Sequence, residues 1–462
     1  MKLSQPRAYS LALAPHIIHA QSTLLAGLVS SRIHNQLDFQ AVGSWFILDK
    51  VVESTDTYVN ISRVPSSRED IFRDSSFDLR AKRSLVKFLR FVQTYEEQSE
   101  VWNADAETPF TDFLQQKFGL PPSSHSALLA LTLGSGPSAQ VNTATALPKI
   151  SRHLRSIGVF GAGFGAVLPK WGGLAEIAQV ACRAGAVGGG VYVLKKDIKS
   201  YSSLDGGIAE LVLSEGEKIT TSWLVGCHDD IPSRSSRAVT GGLTKGIFVV
   251  TPALATLFPS TSEGGVTPAG AVVAIPSGDS EGPPVHIIAH SHESGECPSS
   301  QSKFRQFFTA TDHMMILRKT YLHCLIYFDY KLSTFLTRSI SSRYLSATHH
   351  WTITNVTTGV LYASIALPAE EGVPRLITAV EDLLQGLDDT SGRVLWSLKY
   401  HQRNTSLSED SDANAIILPN VPVELGLPDS VLDDVKSAWQ KITGDTEGFM
   451  VFEARQGMED ED

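Results

Sequence analysis

The 462-residue sequence has no uninterrupted run of about 18 apolar, uncharged residues, so we predict no segment that spans a bilayer. Residues 1–20 carry Lys2, Arg7 and Pro15 where a signal peptide would have an apolar core and a small-residue cleavage site. Cysteine is scarce as well, and its 4 copies are far apart without any CxxC pair: Cys182, Cys227, Cys297 and Cys324. We therefore expect reduced thiols in a cytoplasmic protein, with neither a disulfide framework nor a zinc site.

Positive charge is also in short supply. Lys and Arg number 39 against 49 Asp and Glu, which gives a formal net charge of −10. A protein that neutralises nucleic-acid phosphates needs the opposite balance, so we exclude a nucleic-acid partner. The sequence contains no GxSxG, P-loop or HExxH motif. The sequence therefore offers no self-sufficient catalytic centre, and we expect neither a bound metal nor a cofactor.

Gly161–Ala166 matches the GxGxxA pattern of dinucleotide-binding loops. That pattern binds a pyrophosphate only where a strand precedes it and a helix begins within it. Here a helical stretch, His153–Ile157, precedes the glycines, and Pro169 follows closely. We interpret the segment as a glycine-rich loop that joins two subdomains.

Three histidines are the best candidates for metal ligands. His286, His290 and His292 fall on one face of a predicted strand, with Glu293 and Cys297 close in sequence. Their spacing matches no closed zinc site, because it is followed by a Ser/Gly loop and not by a second ligand pair. We expect surface histidines on an edge strand.

Hydrophobic periodicity predicts both helices and strands along the chain. Helices are predicted over 9–40, around Leu85–Val92, from Thr108, and over Ala127–Leu133, Thr143–Ile157, Thr311–Thr337, Val373–Gly386 and Asp429–Lys441. Strands are predicted over Trp45–Leu48, Tyr58–Val64, Val191–Leu194, Ile208–Leu213, Lys218–Leu224, Gly246–Thr251, Ala271–Ile275, Val285–His290, Trp351–Val356 and Arg393–Tyr400. This order predicts a mixed α/β protein: a sheet domain of residues 1–67 and 158–462, with residues 68–157 inserted as a helical domain.

One polar row is distinctive. Glu176, Gln179 and Arg183 are spaced i, i+3, i+7 and share one face of a short predicted helix. Such a row can bind a charged partner or a protein backbone through bidentate hydrogen bonds. The alternative is an ordinary solvated helix face.

Several segments match, in order, the motifs of one known superfamily. Leu13–Ile18 with Leu37–Phe39 is similar to an L-x-P-K-x-L … Y-x-E/D-F-K block, and Lys87–Leu89 is similar to a KFL helix. The motifs and their order resemble the superfamily of Rab escort proteins (component A of Rab geranylgeranyltransferase) and Rab GDP-dissociation inhibitors. The segment Leu168–Gln179 is similar to L-(Y/F)-P-L-Y-G-x-G-E-L-P-Q, and it continues into a double glycine and Tyr192. Arg393–Leu398 resembles the escort-type R-I-L-W-A-L.

The resemblance implies a carrier and not an enzyme. Its members bind GDP-bound Rab GTPases on a polar platform, and escort proteins present Rab to the catalytic heterodimer of Rab geranylgeranyltransferase and carry the lipid-modified product to membranes. It implies a Rab-binding platform that comprises Glu176, Gln179, Arg183, Val191, Tyr192 and Val193. It also implies a groove in the helical domain for the geranylgeranyl chain, for which we name Phe88, Leu89, Phe113 and Leu114, residues that would serve equally well as helical core. The alternatives are a GDP-dissociation inhibitor that recycles prenylated Rab and, more distantly, a flavin- or NAD-dependent oxidoreductase.

The resemblance also implies an incomplete fold. The superfamily opens with a strand, a G-T-G-x-x-E loop and a D-R-N-x-Y-Y-G-G stretch, and nothing similar precedes Leu13 here. We therefore expect a sheet domain of the type that binds FAD or NAD(P), without its first βα unit.

Overall fold

In a computed structural model, the structure describes residues 3, 5–53, 56–65, 68–73, 77–204, 207–227, 230–232, 239–251, 254–260, 265–277, 282–298, 358–387, 392–405, 414–419 and 424–452. The strands are β1 Ile18–His19, β2 Phe39–Glu53, β3 Asp56–Arg63, β4 Ala166–Pro169, β5 Ile198–Leu204, β6 Ile208–Leu213, β7 Lys218–Thr221, β8 Leu224–Cys227, β9 Val239–Thr251, β10 Gly270–Ile275, β11 Val285–His290, β12 Gly359–Ile365, β13 Arg393–Thr405 and β14 Ala415–Leu418. The α-helices are α1 Thr23–Ser30, α2 Arg68–Arg73, α3 Leu79–Gln93, α4 Ser99–Trp102, α5 Phe110–Phe113, α6 His125–Thr132, α7 Thr143–Ser156, α8 Leu174–Val187, α9 Ala369–Gly386 and α10 Ser430–Thr443.

A large mixed sheet organises the fold. Its strands follow the order β1-β4-β2-β10-β11-β12-β9-β13, and β3 pairs with β2 at the side. The pair β10–β2 is parallel, and the other pairs of this sheet are antiparallel. Two small sheets, β5-β6-β7 and β14-β8, accompany it. The predicted mixed α/β class is confirmed.

The two faces of the large sheet are covered differently. Helix α9 covers one face, where Leu376, Val380 and Leu383 pack against Phe248 and Leu361 of the sheet. The other face packs against the helices between β3 and β4, in a core cluster that joins Phe88 and Phe110 to Trp45 and Ile288. The stretch 68–156 contains helices and no strand within its described residues. Because this stretch and the sheet share one core, the division into two domains at 67/68 and 157/158 stays a prediction.

Local sequence signals account for several helix starts. Asp78 caps α3, where its carboxylate accepts the amide proton of Ala81 at 2.6 Å, and Asn142 caps α7 through the amide of Thr145 at 2.9 Å. The apolar positions that recur along α3, Leu85, Phe88 and Val92, are buried as their spacing predicts. The predicted helices over Ala127–Leu133, Thr143–Ile157, Val373–Gly386 and Asp429–Lys441 correspond to α6, α7, α9 and α10.

The prediction of one helix over 9–40 is wrong. Only Thr23–Ser30 forms an α-helix, which Ser22 caps through the amide of Leu24. Ile17 and Ile18, which the sequence pattern placed on that helix, are extended: Ile18 pairs with Val167, and the Ile17 amide donates to the carbonyl of Leu425 at 3.0 Å. Pairing with distant segments overrides local periodicity here, because it buries both isoleucines completely.

The predicted buried strand Val191–Leu194 is also wrong. These residues follow the turn at Gly188–Gly190 and belong to no strand, and Val191 is 86% exposed. The predicted strands Trp45–Leu48, Tyr58–Val64, Ile208–Leu213, Gly246–Thr251, Ala271–Ile275, Val285–His290 and Arg393–Tyr400 are present within or at the strands given above, and Lys218–Leu224 forms β7 and the start of β8. The predicted helix Thr311–Thr337 and strand Trp351–Val356 lie outside the described residues.

Candidate functional site

The candidate platform begins at the turn between β4 and α8. Gly172 and Gly173 both have positive φ, 139° and 63°, which L side chains rarely adopt, so glycine is required at this turn. The Trp171 amide donates to Oε2 of Glu176 at 3.0 Å, and the Lys170 amide donates to the carbonyl of Asp38 at 2.9 Å. Glu176, in the first turn of α8, therefore holds the preceding glycine turn against its own helix through this hydrogen bond.

The carboxyl group of Glu176 is only partly solvated. Burial raises its pKa above the ordinary value, the Trp171 amide opposes this shift, and the nearby Asp38 carboxylate adds to it. The Lys170 ammonium lies 4.7 Å from the centre of the Trp171 indole ring. One oxygen of Glu176 is thus already occupied within the chain, which the sequence could not show.

Helix α8 carries the rest of the polar row. Leu174, Ile177 and Val180 pack on a core cluster around Leu28 and Phe164, which fixes the orientation of the helix. Gln179 and Arg183 lie on the solvent side and are exposed. Within the described part of the chain, neither of these two side chains makes a hydrogen bond or an ion pair. Both are free to bind a partner.

Exposed apolar side chains surround the end of α8. Val187 on the last turn is 68% exposed, and after the glycine turn Val191, Tyr192 and Val193 are 86%, 52% and 61% exposed. The segment folds back on the helix: the Gly190 amide donates to the carbonyl of Gly185 at 2.8 Å, and the Tyr192 hydroxyl lies against Gly185. These apolar platform candidates therefore lie just beyond the end of the helix that carries Gln179 and Arg183. Exposed apolar groups rimmed by polar ones are typical of protein-binding surfaces.

The four candidates for the lipid groove lie in the helical region, and three of them are closed off. Phe88, Phe113 and Leu114 are at most 1% exposed, and Leu89 is partly buried against the same core. Phe88 and Phe113 belong to an aromatic cluster with Phe91, Phe110 and Phe118, where ring centres lie 5.2–6.5 Å apart. In this conformation these side chains pack on one another, and their role in lipid binding stays a prediction.

The placement of the histidines corrects the sequence analysis. Strand β11 lies between β10 and β12 and is not an edge strand, and both His286 and His290 are buried. His290 Nδ1 lies 2.7 Å from Oε2 of Glu296, which also accepts the hydroxyl proton of Tyr362 at 2.9 Å. In the described residues no group of three or more His, Cys, Asp or Glu side chains could hold a metal ion. Sequence reasoning missed this buried network because Tyr362 lies 66 residues from Glu296 in the chain.

The glycine-rich segment Gly161–Ala166 is a loop, as predicted. It connects α7 to β4, no helix begins within it, and its Gly165 carbonyl accepts the Ala20 amide at 2.9 Å. Over the same part of the chain that the structure describes, none of the helices combines the length and the apolar character needed to cross a membrane.

Comparison with known proteins places these features in a family. Residues 1–253, more than half of the chain, match the family "GDP dissociation inhibitor". The chain belongs to this family. In overall structure it is similar to the crystal structure of a Rab GDI from Plasmodium falciparum, with a TM-score of 0.63 at 14% identity over 96% of this chain and 85% of the other. The predicted superfamily and its fold are thereby confirmed.

Curated relatives are named for Rab prenylation. The chain is 34% identical to "Rab proteins geranylgeranyltransferase component A" of Saccharomyces cerevisiae over 42% of this chain and 31% of that protein. It is 28% identical to "Rab escort protein 1" of Arabidopsis thaliana over 47% and 41%, and 28% identical to the Drosophila melanogaster component A over 64% and 55%. The chain therefore spans about a third to about half the length of these relatives.

Proposed function

We propose that this chain acts as a Rab escort protein-like factor without catalytic activity of its own. It binds GDP-bound Rab GTPases, presents them to the catalytic heterodimer of Rab geranylgeranyltransferase, and carries the prenylated Rab through the cytosol to membranes. Membership of the GDP dissociation inhibitor family and the names of the curated relatives support this proposal.

One structural observation carries the proposal. Arg183 stands on the exposed face of α8, unpaired within the described residues and one helical turn before the exposed apolar residue Val187. A guanidinium with five donors in a rigid fork suits a carboxylate or a row of backbone carbonyls on a partner. A charged anchor with apolar neighbours is the arrangement in which interface side chains contribute most to affinity.

A carrier of prenylated Rab must also shelter a C20 chain, because each exposed CH₂ costs about 0.8 kcal/mol in water. In our proposal the helical region performs this task when its aromatic core around Phe113 opens. Leu89, which is only partly buried at the border of that core, is then the first of the four candidates to meet the lipid.

The test is a titration of a GDP-loaded, unprenylated Rab against the wild-type chain and its Arg183→Ala variant. We expect Arg183→Ala to weaken the affinity by roughly thirty-fold, since truncation of a central charged anchor costs about 2 kcal/mol. Arg80→Ala, which removes an exposed arginine on α3 far from the platform in sequence, is the matched control and should leave the affinity unchanged. Equal affinity for all three proteins would mean that the face of α8 is only solvated.

The two alternatives make different predictions. A GDP-dissociation inhibitor binds prenylated Rab and does not stimulate prenylation, whereas the segment Arg393–Leu398 resembles the escort type and lies in the described strand β13. An oxidoreductase would hold a flavin or nicotinamide cofactor. A flavin band in the visible absorption spectrum of the purified protein would favour that class and contradict ours.

A further inference from the structure

A row of polar side chains crosses the centre of the large sheet. Tyr400 of β13 is directly opposite Lys245 of β9, Lys245 is opposite Ser364 of β12, and Ser364 is opposite His286 of β11. Directly opposed residues of neighbouring strands point to the same face. This face otherwise carries apolar core residues such as Ile247, Tyr362 and Ile288, so four polar side chains in a line are unusual there.

The row borders a cavity. Lys245, Ser364, Tyr362 and Tyr400 form its floor, and the segments around His16 and Glu424 form its wall. The enclosed space measures about 20 Å³, which is room for about one water-sized group, and it is continuous with solvent. It lies on the sheet and does not include any residue of the candidate platform on α8.

Most polar groups around the cavity are already paired. The Tyr400 hydroxyl donates to the carbonyl of Leu13 at 2.7 Å, and the Tyr362 hydroxyl donates to Glu296 at 2.9 Å. The Glu424 carboxylate forms an ion pair with Lys149 at 2.7 Å. Within the described residues, none of these groups forms a hydrogen bond or an ion pair with Lys245.

Lys245 is the exception. Its side chain is 7% exposed, and within the described residues it makes neither a hydrogen bond nor an ion pair. The hydroxyl of Ser364, the residue opposite Lys245 on β12, likewise has no hydrogen-bond partner among the described residues. A buried ammonium without a counter-ion is strongly unfavourable unless something else supplies the negative charge.

His16 adds a third group. Its Nδ1 donates to the carbonyl of Glu424 at 2.9 Å, which leaves Nε2 as an acceptor, and Nε2 is buried without a partner among the described residues. Burial, and secondarily the nearby Lys245 ammonium, lowers the pKa of His16 to about 4, so the ring is neutral. The cavity thus presents an ammonium, a hydroxyl and one imidazole nitrogen.

We propose that this cavity is a binding site for a small oxyanion, a carboxylate or phosphate group, held by the Lys245 ammonium and the Ser364 hydroxyl. The anion supplies the missing counter-charge, and a hydroxyl of a protonated phosphate would donate to Nε2 of His16. Burial lowers the pKa of Lys245 to about 8, so most of the ammonium keeps its proton at neutral pH and can bind the anion. The site is independent of the proposed binding of Rab.

The test measures the melting temperature of the full chain against inorganic phosphate and against acetate at constant ionic strength. A ligand that binds only the folded state raises the melting temperature as its concentration rises. We expect a rise with at least one of the two oxyanions and a smaller one with chloride. A rise with phosphate alone would identify the ligand as a phosphate group, and a rise with acetate alone would identify it as a carboxylate. No rise with either, or an equal rise with chloride, would overturn the proposal.

Variants assign the effect to the site. Lys245→Met should weaken the affinity for the oxyanion at least about tenfold, which corresponds to about 1.4 kcal/mol. Without added oxyanion, the same variant should melt at a higher temperature than the wild-type chain, because a buried unpaired charge is removed. Lys399→Met is the control, since Lys399 is next to Tyr400 in β13 and points to the opposite face, towards Phe248. If Lys245→Met does not fold, two other variants provide the test. Ser364→Ala should weaken the affinity for the oxyanion, and Lys245→Arg should retain it. An unchanged response in Lys245→Met, or in Ser364→Ala, would contradict the assignment.

Discussion

At the scale of single residues, the platform combines side chains with different roles. Glu176 holds the turn that starts α8, whereas Arg183, two helical turns further on, has no partner among the described residues. The sequence predicts that both share one face, because their spacing is helical. It could not predict that Glu176 already accepts the amide of Trp171, since this bond depends on the conformation of two glycines.

Replacement of Glu176 separates these roles. Glu176→Ala removes the acceptor for the Trp171 amide and should lower the free energy of unfolding by about 1 kcal/mol, as the loss of a helix cap does. Glu176→Gln keeps an acceptor oxygen and should cost clearly less. Urea denaturation followed by circular dichroism measures both, with Glu100→Ala on α4 as the control. Equal losses for Ala and Gln would show that the bond to Trp171 does not matter.

At the scale of elements, the sequence predicts most strands of the large sheet and the main helices. Strand β10 is a short, continuous apolar run followed by Pro276 and Ser277, and it lies where that pattern predicts. Periodicity fails where distant partners decide. Ile17 and Ile18 fit a helical stripe but pair with Gly426 and Val167, and Val191–Leu194 fits a strand but finds no strand to pair with.

The same limit applies to the candidate sites. Lys245, Ser364 and His286 are far apart in sequence, and only the register of β9, β12 and β11 brings them into one row. No local motif signals this row. The helical face of α8, in contrast, was predictable because all of its residues lie within two turns of one helix.

The helical region provides the second prediction. Phe113 is 1% exposed and packs against Phe91, Phe110 and Phe118, so Phe113→Ala should lower the free energy of unfolding by about 3–5 kcal/mol. Leu89→Ala, at a partly buried position of the same region, should cost less. Chemical denaturation without lipid shows whether Phe113 is packed in a closed aromatic core or lines an open groove. A negligible effect of Phe113→Ala would indicate that Phe113 lines an open groove even without lipid.

At the scale of the whole molecule, buried histidines make the fold sensitive to acid. Burial lowers the pKa of His153, whose ring packs 4.5 Å from that of Trp45, to about 4, and likewise the pKa values of His16 and His286. Each stays neutral in the folded chain but takes up a proton near pH 6.5 when unfolded. The folded state is therefore most stable above about pH 6.5, and stability is lost as the pH falls from about 6.5 to about 4.

His153→Phe tests this account, because it keeps an aromatic ring against Trp45 and removes the titrating group. Between pH 7 and pH 5 the wild-type chain should lose about 2 kcal/mol more of its free energy of unfolding than the variant. Urea unfolding at the two pH values gives the difference. The same loss in both proteins would show that His153 is not held neutral by burial.

The central claim concerns what the whole molecule does with Rab. The most direct measurement is the incorporation of a geranylgeranyl group into unmodified, GDP-loaded Rab by the purified catalytic heterodimer, with and without this chain. We predict incorporation that depends on the wild-type chain and falls with Arg183→Ala but not with Arg80→Ala. Incorporation no greater with the wild-type chain than without it would contradict the escort function.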